Sequence, residues 1–290
     1  MYRNIYELCK LSEDENKPVW QVILENEMKH SGVSEKEIFD ALEGRLKVME
    51  ASASKALTRP FETVGRLITG ISSQQYSYAS DGQTVCGSFI NEVMAMALSC
   101  CEINASMGKI CAAPTAGSCG IIPAVLIGMA RQFDIQREDT LKAMLVASGV
   151  GAVITKNATV SGSEGGCQAE CGTAAAMASA AVVWERGGSN LMIANSISFV
   201  LMNVMGLVCD PVAGLVQVPC AARNASQAVN ALLCADLALS GMDPVIPADE
   251  AIEAMYKTGR ALPFQLRETA MGGIAATKTA KQISKDIFDR

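Results

Sequence analysis

Long runs of small and aliphatic residues alternate along this chain with short loops of glycine, serine, threonine, proline and cysteine. No other feature constrains the fold as much. The runs 88–103, 121–133, 138–154, 170–186, 190–207, 224–240 and 248–257 are rich in alanine and methionine and read as helices. Between them stand GRLITGISSQQYSYASDGQ, GKICAAPTAGSCG, NATVSGSEGGCQ and CDPVAGLVQVPCAARN. Half of the 290 residues are hydrophobic but only 5% are aromatic, so the core must be built from small side chains that let helices approach closely. LVQVP alternates only briefly, and the chain has neither a strand–helix alternation nor a GxGxxG fingerprint, which argues against a Rossmann domain. The expectation is an all-α fold, one mostly helical domain over 1–290 without a clear linker.

Charge divides the chain. Residues 1–50 carry 18 charged side chains, whereas 187–222 carry one, Asp210. The N-terminal segment, 1–60, reads as solvated helices, KPVWQVILENEMKH and then SEKEIFDALEGRLKVMEASASKAL, with Ser34 and Glu37 in a capping-box pattern and Ile38, Leu42 and Leu46 on one face. A net charge of −6 without a Lys/Arg cluster makes nucleic acid an unexpected partner. The opening MYRNIYELCKLSEDENK has no apolar core of a secretion signal, so a cytoplasmic setting is expected, with the 11 cysteines as thiols or metal ligands rather than disulfides. Residues 187–209 lack charge and are long enough to cross a bilayer, yet they contain Asn190, Asn195, Ser196, Ser198 and Asn203. A helix buried in a soluble protein is the expectation there, with no membrane.

The single histidine, His30, lies in the charged N-terminal segment and reads as a surface residue near a helix end. A Ser-His-Asp or Cys-His mechanism within this chain would have to use it. Cysteine is the remaining source of chemistry. Cys9, Cys86, Cys100, Cys101 and Cys234 fall in helical or apolar settings that suit inert thiols, while Cys111 and Cys119 flank a Pro/Gly loop. Cys167, Cys171, Cys209 and Cys220 lie in or beside Gly/Pro-rich breaks, where backbone can approach an inorganic group closely. No C-x2-C-x2-C run is present, and the residues alone leave open whether these thiols ligate metal or simply pack. Thr115, Ser118, Asn157, Thr159, Ser161, Ser163 and Asn224 crowd the same loops; each suits turn or capping duty, and together they suit a pocket receptive to anions.

Four segments in one order, GKICAAPTAGSCGIIPAVL, NATVSGSEGGCQAECGTAAAMASAA, CDPVAGLVQVPCAARNA and TGRALPFQLRETAMGGIA, resemble the catalytic region of iron–sulfur L-serine dehydratases, from about Gly65 to Ala275. The resemblance implies that 65–275 carries the cluster and substrate loops of an α subunit. It implies a [4Fe–4S] cluster held by Cys167, Cys209 and Cys220, with Cys171 a neighbour rather than a ligand. One iron then lacks a protein ligand and can act as a Lewis acid on the serine hydroxyl. L-serine would lose water to give 2-aminoacrylate, which becomes pyruvate and ammonia. Its charged groups would be held by Thr115, Ala116 and Gly117 of one loop and Ser161 and Gly162 of another.

Single-chain members of that family also carry a region with a Ser-Ser-His-Thr-like motif, which has no match here. A separate β subunit is therefore the expected partner and the expected source of a histidine base, with small or apolar surface for it around 65–90 and 108–120. Some members end in a cysteine tail that covers the open iron; KQISKDIFDR has none. A cysteine desulfidase or another β-eliminase on the same cluster is the nearest alternative, separable by substrate preference. A non-enzymatic metal-binding scaffold is a second alternative, separable by metal analysis with a pyruvate assay.

Overall fold

In a computed structural model, which describes residues 2–289, the alternation of apolar runs and polar loops becomes thirteen α-helices, and no strand forms among those residues. Three helices make the charged N-terminal segment: α1 (Ile5–Asp14), α2 (Val19–Ser31) and α3 (Glu35–Lys55). The capping box forms as expected: the Ser34 hydroxyl accepts from Glu37 N, and Ser34 N donates to the Glu37 carboxylate at 2.8 Å. Ile38, Leu42 and Leu46 are buried against the body, so this segment is only half solvated.

The body comprises α4 (Ile71–Ser80), α5 (Gly87–Ala105), α6 (Ile121–Phe133), α7 (Arg137–Asn157), the single turn α8 (Gly162–Gly165), α9 (Thr173–Glu185), α10 (Asn190–Val204), α11 (Cys220–Leu239) and α12 (Ala248–Ala261). Helix α13 (Lys278–Phe288) follows. Helix α9 is the axis. Its residues Thr173 to Val183 are all buried, and it packs against α6, α7, α10 and α11 at once. Alanine and serine along TAAAMASAA keep its girth small enough for four neighbours, which explains a large apolar fraction with few aromatic side chains.

Several boundaries depart from the sequence expectation. The stretch 65–83, read as a break, contains α4, whose serines and glutamines carry no clear apolar stripe. Helices α1 and α13 lie outside the runs read as helical. The run 170–186 opens with a π-helical turn, Gln168–Gly172, before α9 begins. Cys86 caps α5 and is exposed rather than packed. In the uncharged stretch 187–209, α10 spans only 15 residues and is largely buried. The segment long and apolar enough for a bilayer is instead Ala116–Phe133, which is 67% buried within the protein. His30 is exposed in the last turn of α2.

Candidate active site

The loops between these helices are stitched to one another rather than left free. Gly166 sits at φ +76°, and a Cβ there would meet Leu207 O at 2.7 Å, so only glycine lets this turn pass under the end of α10. Gln168 is fully buried: its backbone N–H donates to Leu207 O at 3.1 Å, and its side chain accepts from Gly206 N and donates to Met255 O. This fixes Cys167, one residue before the π-turn, against the loop that carries Cys209. Cys209 is anchored from the other side, where its N–H donates to Leu266 O and its carbonyl accepts from Glu268 N. Cys220 begins α11. One turn later Asn224 donates to Gly117 O at 2.7 Å and accepts from Gly120 N at 2.9 Å, tying the 115–120 loop to the same helix.

Three cysteines far apart in sequence thus face one region. Cys209 lies close enough to Cys167 and Cys220, and Cys220 close enough to Cys167, for the neighbouring thiolate charge to disfavour ionisation of both. Burial pushes Cys220 up to about 12 and Cys209 higher still. Cys167 moves the other way, because the Cys171 thiol donates to it and Arg223 lies beside it, outweighing burial. Arg223 is itself held by an ion pair with Asp210 at 2.8 Å and by Val208 O. Among the described residues no three of His, Cys, Asp and Glu converge tightly enough for a single metal ion. Soft thiols set apart around a shared space suit a polynuclear iron–sulfur group, whose irons are ligated separately.

Two glycine-bearing loops border this region. The Thr115 hydroxyl donates to Glu170 Oε1 at 2.9 Å, and Glu170 Oε2 lies 4.0 Å from Cys209 Sγ. A Cβ on Gly117 would come within 3.1 Å of one Glu170 oxygen, and one on Gly162 within 2.7 Å of the other. The structure therefore brings Thr115, Gly117 and Gly162 together with the cysteines. Ala116 is exposed at the loop tip, and the Ser161 hydroxyl turns outward to Ser163 Oγ at 2.8 Å. Among the described residues no acceptor takes the amide N–H of Ala116, Gly117, Gly162 or Ser163. Sequence reasoning does not single out Glu170. Its signal is a lone acid in CQAEC, one turn beyond Cys167 and otherwise surrounded by small or apolar residues. Burial, and to a lesser degree Glu268, hold its carboxyl above the usual range against the Thr115 hydrogen bond.

Residues 14–275 match the family model described as serine dehydratase alpha chain. The chain belongs to that family. It is 45% identical over 286 residues to the L-serine dehydratase alpha chain of Peptoniphilus asaccharolyticus, covering 99% of this chain and 97% of that one. It is 41% identical over 288 residues to a probable L-serine dehydratase alpha chain of Bacillus subtilis, covering 99% and 96%. The longer L-serine dehydratase 2 of Escherichia coli is 41% identical over 181 residues, which span 62% of this chain and 40% of that protein. Those 181 residues of this chain thus align with a portion of that longer protein.

Proposed function

We propose that this chain is the α subunit of an L-serine dehydratase and that Cys167, Cys209 and Cys220 hold its [4Fe–4S] cluster. The observation that carries the reading is the convergence of these three thiols beside two loops with unused amide donors. When bound, the cluster supplies Lewis-acid polarisation of the substrate hydroxyl, making it a better leaving group. The chain's own residues do the rest of the binding. The amides of Ala116, Gly117, Gly162 and Ser163 suit a carboxylate, with Thr115 and Ser161 shaping the loops. Loss of the α-proton and the hydroxyl as water leaves 2-aminoacrylate. Tautomerisation and hydrolysis of the imine return that water and give pyruvate and ammonia.

Abstraction of the α-proton needs a base within reach of the substrate. His30 is exposed on α2, outside these loops, so the base is assigned to a β subunit docked over the exposed 115–117 loop. Large apolar side chains left exposed in and around the expected regions support that partner: Val85 is 94% exposed and Met107 85%. The test is an anaerobic assay of pyruvate from L-serine, with the α chain alone and with its β subunit. Pyruvate from the mixture supports the reading. A mixture with full iron and no pyruvate, on L-serine or L-cysteine, would leave a metal-binding scaffold as the function.

A further inference from the structure

We infer that Glu170 receives the α-ammonium group of the substrate and is the residue that selects an amino acid over a hydroxy acid at this site. The inference rests on the serine dehydratase reading above. Glu170 projects from the π-helical turn between the two loops, with one oxygen taken by Thr115 and the other facing Cys209 across 4.0 Å. Glycines 117 and 162 lie against the carboxylate, so that a Cβ at Gly162 would collide with one oxygen and a Cβ at Gly117 would press tightly on the other. Despite this enclosure its side-chain partners among the described residues are Thr115 and Cys209, and no Lys or Arg pairs with it. An enclosed carboxylate without a counter-cation costs free energy that a cationic ligand recovers.

L-serine provides that cation. Its ammonium and hydroxyl sit on adjacent carbons, so the groups that receive them must be neighbours. Glu170 and Cys209 are neighbours. A zwitterion placed with its hydroxyl toward the cysteines and its carboxylate toward the loop amides brings its ammonium to Glu170. Held there, the ammonium stays protonated and keeps withdrawing electrons from the α-carbon, which favours loss of the α-proton. A purely structural alternative is that Glu170 merely ties the Thr115 loop to the π-turn.

The experiment uses the cluster-loaded αβ complex with Glu170→Gln, which keeps an acceptor for Thr115 but removes the charge. KM and kcat are measured with L-serine, and binding of 3-hydroxypropanoate, which lacks the ammonium, by anaerobic calorimetry. Expected is a KM for L-serine raised about 10–100-fold, the range for losing a charge-assisted hydrogen bond, with 3-hydroxypropanoate bound within about twofold of wild type and iron unchanged. Glu170→Asp, which keeps the charge at shorter reach, is expected to recover some of the loss. Equal weakening of both ligands, unchanged KM, or loss of iron in Glu170→Gln would each assign Glu170 to structure and overturn the inference. A wild-type complex that makes no pyruvate would instead sink the parent reading.

Discussion

Among the thiols, position relative to the shared space decides the expected outcome of substitution. Replacing Cys167, Cys209 or Cys220 singly by serine is expected to remove most of the about four irons per chain that a cubane brings, measured by iron and sulfide analysis of anaerobic protein. Cys171→Ser is expected to retain iron, because a hydroxyl can still donate to Cys167 as the thiol does. Full iron in Cys209→Ser would refute the ligand set. A second residue makes a statement about pH. Both carboxylate oxygens of Glu185 are buried without a partner among the described residues, and burial raises its pKa to about 8. The folded chain therefore keeps this proton while the unfolded chain releases it near the ordinary glutamate value. Stability conferred by the neutral form is full at acid pH and falls as pH rises from about 5 to 8. Glu185→Gln is expected to match wild type in unfolding free energy at about pH 5 and to exceed it by at least about 1 kcal/mol at about pH 8, read from denaturant titrations. An identical difference at both pH values would refute the assignment.

At the scale of elements, the turn around Gly166 sets the height of the π-helical turn against the end of α10. Gly166→Ala adds both a left-handed alanine and a collision with Leu207 O, and is expected to cost about 3 kcal/mol. Gly241 offers the control: its φ is +83° but nothing lies within 4 Å of a Cβ, so Gly241→Ala is expected to cost only about 1 kcal/mol. Thermal or denaturant unfolding of the two variants checks the difference, and equal losses would mean that the Leu207 contact relaxes freely. The π-turn itself is invisible in sequence. Its residues, QAECG, suit an ordinary helix, and the extra residue per turn is imposed by Gln168 bonding to Gly206 and Met255. Helix α4 escapes the sequence for a related reason: ISSQQYSYAS has no apolar stripe, and the helix is held by Ser72 and Gln75 bonding to α5.

For the whole molecule, the site borders the protein surface instead of being sealed by helices of this chain. Thr115 and Gly117 are half exposed and Ala116 is exposed, while Val85 and Met107 leave apolar surface uncovered. The α chain alone is therefore expected to bind iron yet turn over serine very slowly, and to recover activity on addition of the β subunit. His30→Ala, mixed with the same partner, is expected to keep near-normal pyruvate formation. Wild-type rates from the α chain alone would place the base within these 290 residues and remove the argument for a shared site.

By itself the sequence determined the helical class, because apolar runs of helical length and small side chains leave few other ways to pack a chain half of whose residues are hydrophobic. The Ser34 cap and the buried Ile38, Leu42 and Leu46 were likewise local matters, legible over short stretches of one helix. The motifs around Cys167, Cys209 and Cys220 were legible as a resemblance, without any indication of how the thiols meet. Tertiary structure alone decided that meeting, since it depends on Gln168, Asn224 and the Cys209 backbone pairing across gaps of up to 107 residues. It also decided the place of Glu170. A single acid among small residues carries no periodic signal, and its enclosure arises only where two glycine loops from different regions of the chain close on it.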